Sequence, residues 1–161
     1  MLDGRGLLKS EIITKGNMEI HVPPHGIDLN VISIKMMTSM GVLHENGEKS
    51  HADLQEIEYY DHRGTTGWKV SPGMYAVTFD QGCEIPKGSA VFITHRSSLL
   101  KSGATITSGI YDYGYESKNV EAFMIVHNTL FIELGARIAV AYELESDAKL
   151  NYKNQYKKGK K

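Results

Sequence analysis

The sequence predicts an all-β chain, folded as an antiparallel sandwich, jelly roll or barrel. Three observations point there. Short runs rich in β-branched and aromatic residues recur at close spacing along the 161 residues. Polar or Gly/Pro punctuation separates them, and helix signals are few. No glycine motif stands between a strand and a long helix, which excludes dinucleotide-binding and P-loop patterns.

Taken in order, residues 7–13 are a candidate short helix that ends near Gly16. Residues 27–36 alternate, with Ile27, Leu29 and Val31 set against Asp28 and Asn30, and Ile32 and Ile34 following. Residues 74–79, 90–94, 122–126, 130–134 and 136–142 supply the remaining strands. Residues 44–68 are a polar excursion, read as a solvated loop or hairpin that is partly strand at 57–60. It carries His44, His51 and His62 among many carboxylates, but their spacing fits no established metal-ligand motif. From Lys149 the chain is rich in Lys, Asn and Tyr without a hydrophobic period. The expected organisation is therefore one domain over 1–148 and a flexible basic tail over 149–161, able to fold over a phosphate-bearing ligand.

Bulk properties narrow the partners. With 18 basic and 19 acidic residues the net charge is −1, which argues against a general electrostatic grip on nucleic acid. Any anion site must be local. The one cysteine, Cys83, cannot form an internal disulfide or a Cys-rich zinc site, and it points to a reducing compartment. No apolar run approaches the about 20 residues of a membrane span. The N-terminal residues lack the apolar stretch of a signal peptide, so a cytoplasmic location is expected.

Four stretches could carry chemistry. Arg96-Ser97-Ser98 sets a planar guanidinium beside two hydroxyls, a donor set suited to phosphate oxygens if a helical turn begins there. Asp112, within Gly109-Ile110-Tyr111-Asp112-Tyr113-Gly114-Tyr115, lies at a strand end. There it could cap a turn or act as a general base on water. Asp28 interrupts apolar positions at a strand start, where it could meet a metal-bound water or hold a neighbouring arginine. Arg137, in Gly135-Ala136-Arg137-Ile138-Ala139, opens a strand after a turn.

The order and spacing of these elements, with Pro24-His25-Gly26-Ile27-Asp28-Leu29, resemble the family containing dUTP diphosphatases (dUTPases) and dCTP deaminases. The resemblance covers roughly residues 19–143. It implies a distorted jelly roll with few short helices, assembled as a homotrimer with active sites between subunits. It implies that Arg96, Ser97 and Ser98 bind phosphates, with Arg137 as a further contact. The hairpin around Gly109 would hold the pyrimidine through backbone groups, and Tyr115 would pack on the deoxyribose. Asp112 would deprotonate the attacking water. Mg²⁺ would bind the triphosphate chain, with Asp28 as its candidate outer-sphere partner. Two positions depart from the family pattern: His95 stands where a glycine usually precedes Arg-Ser-Ser, and Val140 where a glutamine is common.

The family performs two reactions. The diphosphatases cut dUTP to dUMP and pyrophosphate. The deaminases convert dCTP to dUTP with a glutamate about ten residues after the motif aspartate, and without zinc. Glu121 follows Asp112 by nine residues, so it is a second catalytic candidate, given a bulge or a missing residue. The expectation is a dUTP diphosphatase. The alternatives are a dCTP deaminase, a bifunctional enzyme, or a nucleotide-binding homologue without turnover.

Overall fold

The computed structural model describes residues 2–147 and 149. Antiparallel strands dominate it, and two short helices, Gly4–Lys9 and Ser97–Lys101, interrupt them. Among the described residues no helix is long and apolar enough to cross a membrane. The tail expected beyond Lys149 lies outside the described residues.

The main sheet follows the strand path Ala104–Thr107, Glu121–Val126, Gly73–Phe79, Ile27–Met37, Arg137–Glu145, Ser89–His95, Ile110–Tyr111. Its first and last strands are consecutive in sequence, joined only by Ser108 and Gly109. A sheet whose two ends are joined by two residues must curl round on itself, which hides its edges. Ser108 pins the closure, because its Oγ accepts the Ile93 N–H at 3.2 Å and donates to the Ile93 carbonyl at 3.1 Å.

Inside the curl lie Leu7, Ile27, Leu29, Val31, Phe79, Ile93 and Met124, all fully buried. Each contributes on the order of 1.5–3 kcal/mol through removal of apolar surface from water. Glu121–Val126 shows the period-2 logic: Ala122, Met124 and Val126 face inward while Glu121, Phe123 and Ile125 face out. Outside, Phe123, Ile125 and Met74 form an exposed apolar surface, with Ile125 directly opposite Met74.

Two expectations need correction. The first helix occupies Gly4–Lys9 and not 7–13: Asp3 caps it by accepting the Gly6 N–H at 2.7 Å, and Ile13 instead pairs with Cys83 in a two-residue strand. In the polar excursion, strands form at Leu54–Glu56 and Tyr60–His62, either side of 57–59. Arg63 (φ 55°) and Gly64 (φ 82°) make a tight two-residue hairpin that fixes the pairing of His62 with Thr65.

The alternation expected over 27–36 breaks at its start, since Asp28 and Asn30 are as buried as their apolar neighbours. A buried polar side chain requires partners. Asn30 finds them in Gln81, whose Oε1 accepts the Asn30 N–H at 2.8 Å and whose Nε2 donates to Asn30 Oδ1 at 2.9 Å. Asn30 Nδ2 also donates to the Gly135 carbonyl at 2.9 Å, which ties the 135–137 turn to the sheet.

Candidate active site

Three neighbouring strands place Asp28, Val140 and Thr94 in one row across the sheet. Arg96 lies two residues beyond Thr94, in extended conformation at the entrance to the Ser97–Lys101 helix. Its side chain turns back to Asp28, with Nε 3.1 Å from Oδ1, while its Nη1 donates to the Arg137 carbonyl at 3.3 Å. Arg137 Nη1 approaches Asp28 Oδ2 at 4.0 Å. On the same oxygen His21 Nδ1 sits at 2.6 Å. Asp28 is only 2% exposed, and two guanidinium groups and one imidazole surround it as the partners a buried carboxylate requires.

Arg96 and Arg137 remain 31% and 41% exposed, so guanidinium donors not used on Asp28 face solvent. Arg96 borders two clefts. One, of about 750 Å³, is lined by His21, Asn30, Arg96 and Arg137. The other, of about 420 Å³, is lined by His25, Asp28, His95, Arg96 and Ser97. Ser97 and Ser98 are exposed in the first turn of the helix, as the sequence anticipates. This locus has the donor chemistry of an anion site.

Asp28, the candidate outer-sphere partner of magnesium, is already engaged by protein groups. Its two oxygens are committed to Arg96 and His21, and a divalent cation there would face two arginines. Among the described residues no three His, Cys, Asp or Glu side chains are grouped to hold a metal. The contacts match the other reading of Asp28, a carboxylate that holds a neighbouring arginine.

A second locus forms around Asp112. Strand Ile110–Tyr111 pairs with Val91 and Phe92, and Asp112 then opens a turn closed by the Tyr115 N–H on the Asp112 carbonyl at 3.0 Å. Gly114 supplies the φ of +85° that the third position of such a turn demands. The Gly114 N–H donates to the Ile85 carbonyl at 2.9 Å, and the Ile85 N–H to the Tyr115 carbonyl at 3.0 Å. The half-buried Asp112 therefore sits on a backbone fixed from both sides.

Tyr111 and Tyr115 pack ring to ring at 4.9 Å. Burial pushes the Tyr111 phenol well above its ordinary range, and Tyr115, Cys83 and Glu121 add to the rise. Burial likewise raises Tyr115. Both phenols therefore stay protonated at neutral pH. The Tyr111 hydroxyl donates to the Glu121 carbonyl, which ties the start of Glu121–Val126 to the residue before Asp112. The Glu121 side chain itself faces outward, with Thr78 Oγ1 at 3.4 Å, and its strand pairs with Gly73–Phe79 without a bulge. At Gly109 a Cβ would meet open space, so the backbone of the 108–109 link is accessible.

The two loci lie apart. Tyr111 pairs with Val91, and Arg96 is five residues further along the same chain direction. At about 3.3 Å per residue, Asp112 and Arg96 are separated by roughly 20 Å. The cleft beside the turn is lined by Tyr113, Gly114 and Tyr115, and neither cleft that Arg96 borders includes a residue of 109–115.

No protein-family model matches the chain. The deoxyuridine 5'-triphosphate nucleotidohydrolase of Methanocaldococcus jannaschii is 36% identical over 133 residues, 82% of this chain and 84% of its own. A probable deoxyuridine 5'-triphosphate nucleotidohydrolase of Aeropyrum pernix is 31% identical over 160 residues, 96% of each chain. The chain belongs to the dUTPase/dCTP deaminase superfamily. Among solved structures of this superfamily, the dCTP deaminase from Agrobacterium tumefaciens superimposes with a TM-score of 0.62 at 15% identity, over 97% of this chain and 51% of that one. The EIAV dUTPase gives 0.54 at 16%, over 86% and 92%. At those identities the likeness shows a shared fold.

Sequence reasoning on this superfamily member missed His21, the shortest contact to Asp28. Its only signal is a ring flanked by Ile20 and Val22, seven residues before the aspartate. It missed Gln81 as well, whose partner Asn30 is 51 residues away.

Proposed function

We propose that the chain is a dUTP diphosphatase that hydrolyses dUTP to dUMP and pyrophosphate. The observation that carries the reading is the turn of Asp112, a half-buried carboxylate on an immobilised backbone beside an accessible hairpin link. Relatives named for dUTP hydrolysis, at 30–36% identity, support the substrate.

In this reading Arg96, Ser97, Ser98 and Arg137 grip the triphosphate, and Asp28 fixes the direction of Arg96. The backbone around Gly109 receives the uracil, and Tyr115 packs on the deoxyribose. Asp112 accepts a proton from a water as that water's oxygen bonds to the α-phosphorus. The bond from the α-phosphorus to its bridging oxygen breaks, and pyrophosphate leaves. Arg96, Ser97, Ser98 and Arg137 would hold the triphosphate together with any magnesium bound to it, and the metal would supply charge neutralisation there.

One triphosphate cannot reach from Asp112 to a phosphate held at Arg96 of the same chain if the water attacks at the α-phosphorus. The roughly 20 Å gap along the strand supports a site shared between copies, and the exposed surface of Phe123, Ile125 and Met74 is available to associate them. A homotrimer in the cytoplasm belongs to the same proposal.

The test is incubation with dUTP, dCTP and UTP plus Mg²⁺, with pyrophosphate and ammonia read separately. Pyrophosphate from dUTP alone is expected. Ammonia from dCTP that Glu121→Gln abolishes would replace the reading with deamination. Nucleotide binding with no turnover would make the chain a non-enzymatic homologue.

A further inference from the structure

We propose that His21 is a third phosphate-binding group, a cation made when the triphosphate arrives. The inference rests on the reading of the Arg96 and Arg137 cleft as the triphosphate site. His21 and Asp28 are joined twice: the Asp28 N–H donates to the His21 carbonyl at 3.1 Å, and His21 Nδ1 lies 2.6 Å from Asp28 Oδ2. A carboxylate can only accept here, so Nδ1 carries a proton and the tautomer is fixed. The ring is held in place while its side chain stays 48% exposed on the cleft lined by Arg96, Arg137 and Asn30. Among the described residues Nε2 has no hydrogen-bond partner.

In the empty cleft Arg96 and Arg137 oppose a further positive charge at this ring, while Asp28 and Glu19 favour it. His25 and His95 line the cleft on the other side of Arg96. A bound triphosphate brings several negative charges and saturates the arginines. The imidazole then stands between the Asp28 carboxylate and phosphate oxygens, and both favour the doubly protonated ring. Nε2 gains a proton from solvent and donates to phosphate. Binding is thus coupled to proton uptake, which an uncharged prop for Asp28 does not show.

Two substitutions separate the ring's roles. The amide nitrogen of Asn occupies the position of Nδ1, so His21→Asn keeps the bond to Asp28 and removes Nε2. The amide of Gln matches Nε2, so His21→Gln keeps a donor in the cleft and gives up Asp28. The probe is a non-hydrolysable α,β-imido analogue of dUTP, with dUMP as comparison. Titration calorimetry in buffers of different ionisation enthalpy counts the protons exchanged. His21→Asn should weaken the triphosphate analogue by about 10-fold, the loss of one charge-assisted hydrogen bond. It should also lower proton uptake relative to the unsubstituted chain, with dUMP affinity and melting temperature unchanged. His21→Gln should bind the analogue more tightly than His21→Asn. Affinity and proton uptake unchanged in His21→Asn, with the unsubstituted chain binding well, would overturn the role of His21 alone. An unsubstituted chain that binds neither nucleotide would overturn the nucleotide reading and this proposal with it.

Discussion

Replacing Asp28 with Asn tests whether one buried carboxylate organises the arginine locus. The substitution keeps the shape and deletes the charge. At the 3.1 Å between Arg96 Nε and Oδ1, Coulomb attraction at an effective dielectric of about 20 is roughly 5 kcal/mol. Arg96 is one-third exposed, so water recovers part of this once the pair is broken. The His21 contact adds to the loss, because an amide placed there cannot satisfy both neighbours at once. A net destabilisation of about 2–3 kcal/mol follows, at the lower edge of what breaking a buried pair costs. For a chain of this size that corresponds to a fall of roughly 5–10 °C in melting temperature. Thermal unfolding at fixed protein concentration measures it, and steady-state kinetics on dUTP should show KM rising as Arg96 loses its anchor. Wild-type melting and wild-type KM together in Asp28→Asn would refute the claim that this carboxylate aims the guanidinium.

Three further outcomes are expected. Asp112→Asn should keep dUTP binding and lose turnover by about 10²–10⁴-fold, read as pyrophosphate release; normal release would remove Asp112 from the chemistry. Gly114→Ala forces a side chain into φ +85° and should cost about 1–2 kcal/mol in denaturant unfolding; an unchanged midpoint would show that the turn is not held as described. Burial pushes the Cys83 thiol up to about 11 from 9.0. The unfolded chain therefore loses this proton first. The contribution of the neutral buried thiol is complete below pH 9 and fades as pH rises through 11. Cys83→Ala should flatten the alkaline fall in stability over that window, and native Cys83 should resist thiol reagents at pH 8 while the unfolded chain reacts.

The strands were legible because their signal is local. Residues 122–126 carry their inward and outward faces in the alternation of Ala122, Met124 and Val126 with Phe123 and Ile125. Residues 7–13 misled because apolar spacing cannot tell a helix from the Ile12 and Ile13 of a buried strand segment, whereas the capping Asp3 does. The phosphate-type donors were legible as types: Arg96, Ser97 and Ser98 stand together in the chain and open a helical turn. The partners of Asp28 were not, because His21, Arg96 and Arg137 reach it from three separate segments. Glu121 was ambiguous by one residue of spacing, and a bulge-free pairing with Thr78 sets its side chain outward.

The sequence by itself determined the all-β class, the strand runs and the chemical types at each motif. These depend on periodicity and residue identity, which act over a few neighbours. Only the tertiary structure decided that Asp28 is a buried clamp for Arg96, that His21 completes it, and that Asp112 stands at the other end of the strand leading to Arg96. Those facts depend on register and sheet closure. Both are set by which distant strands pair so that apolar faces turn inward and every buried polar group meets a partner.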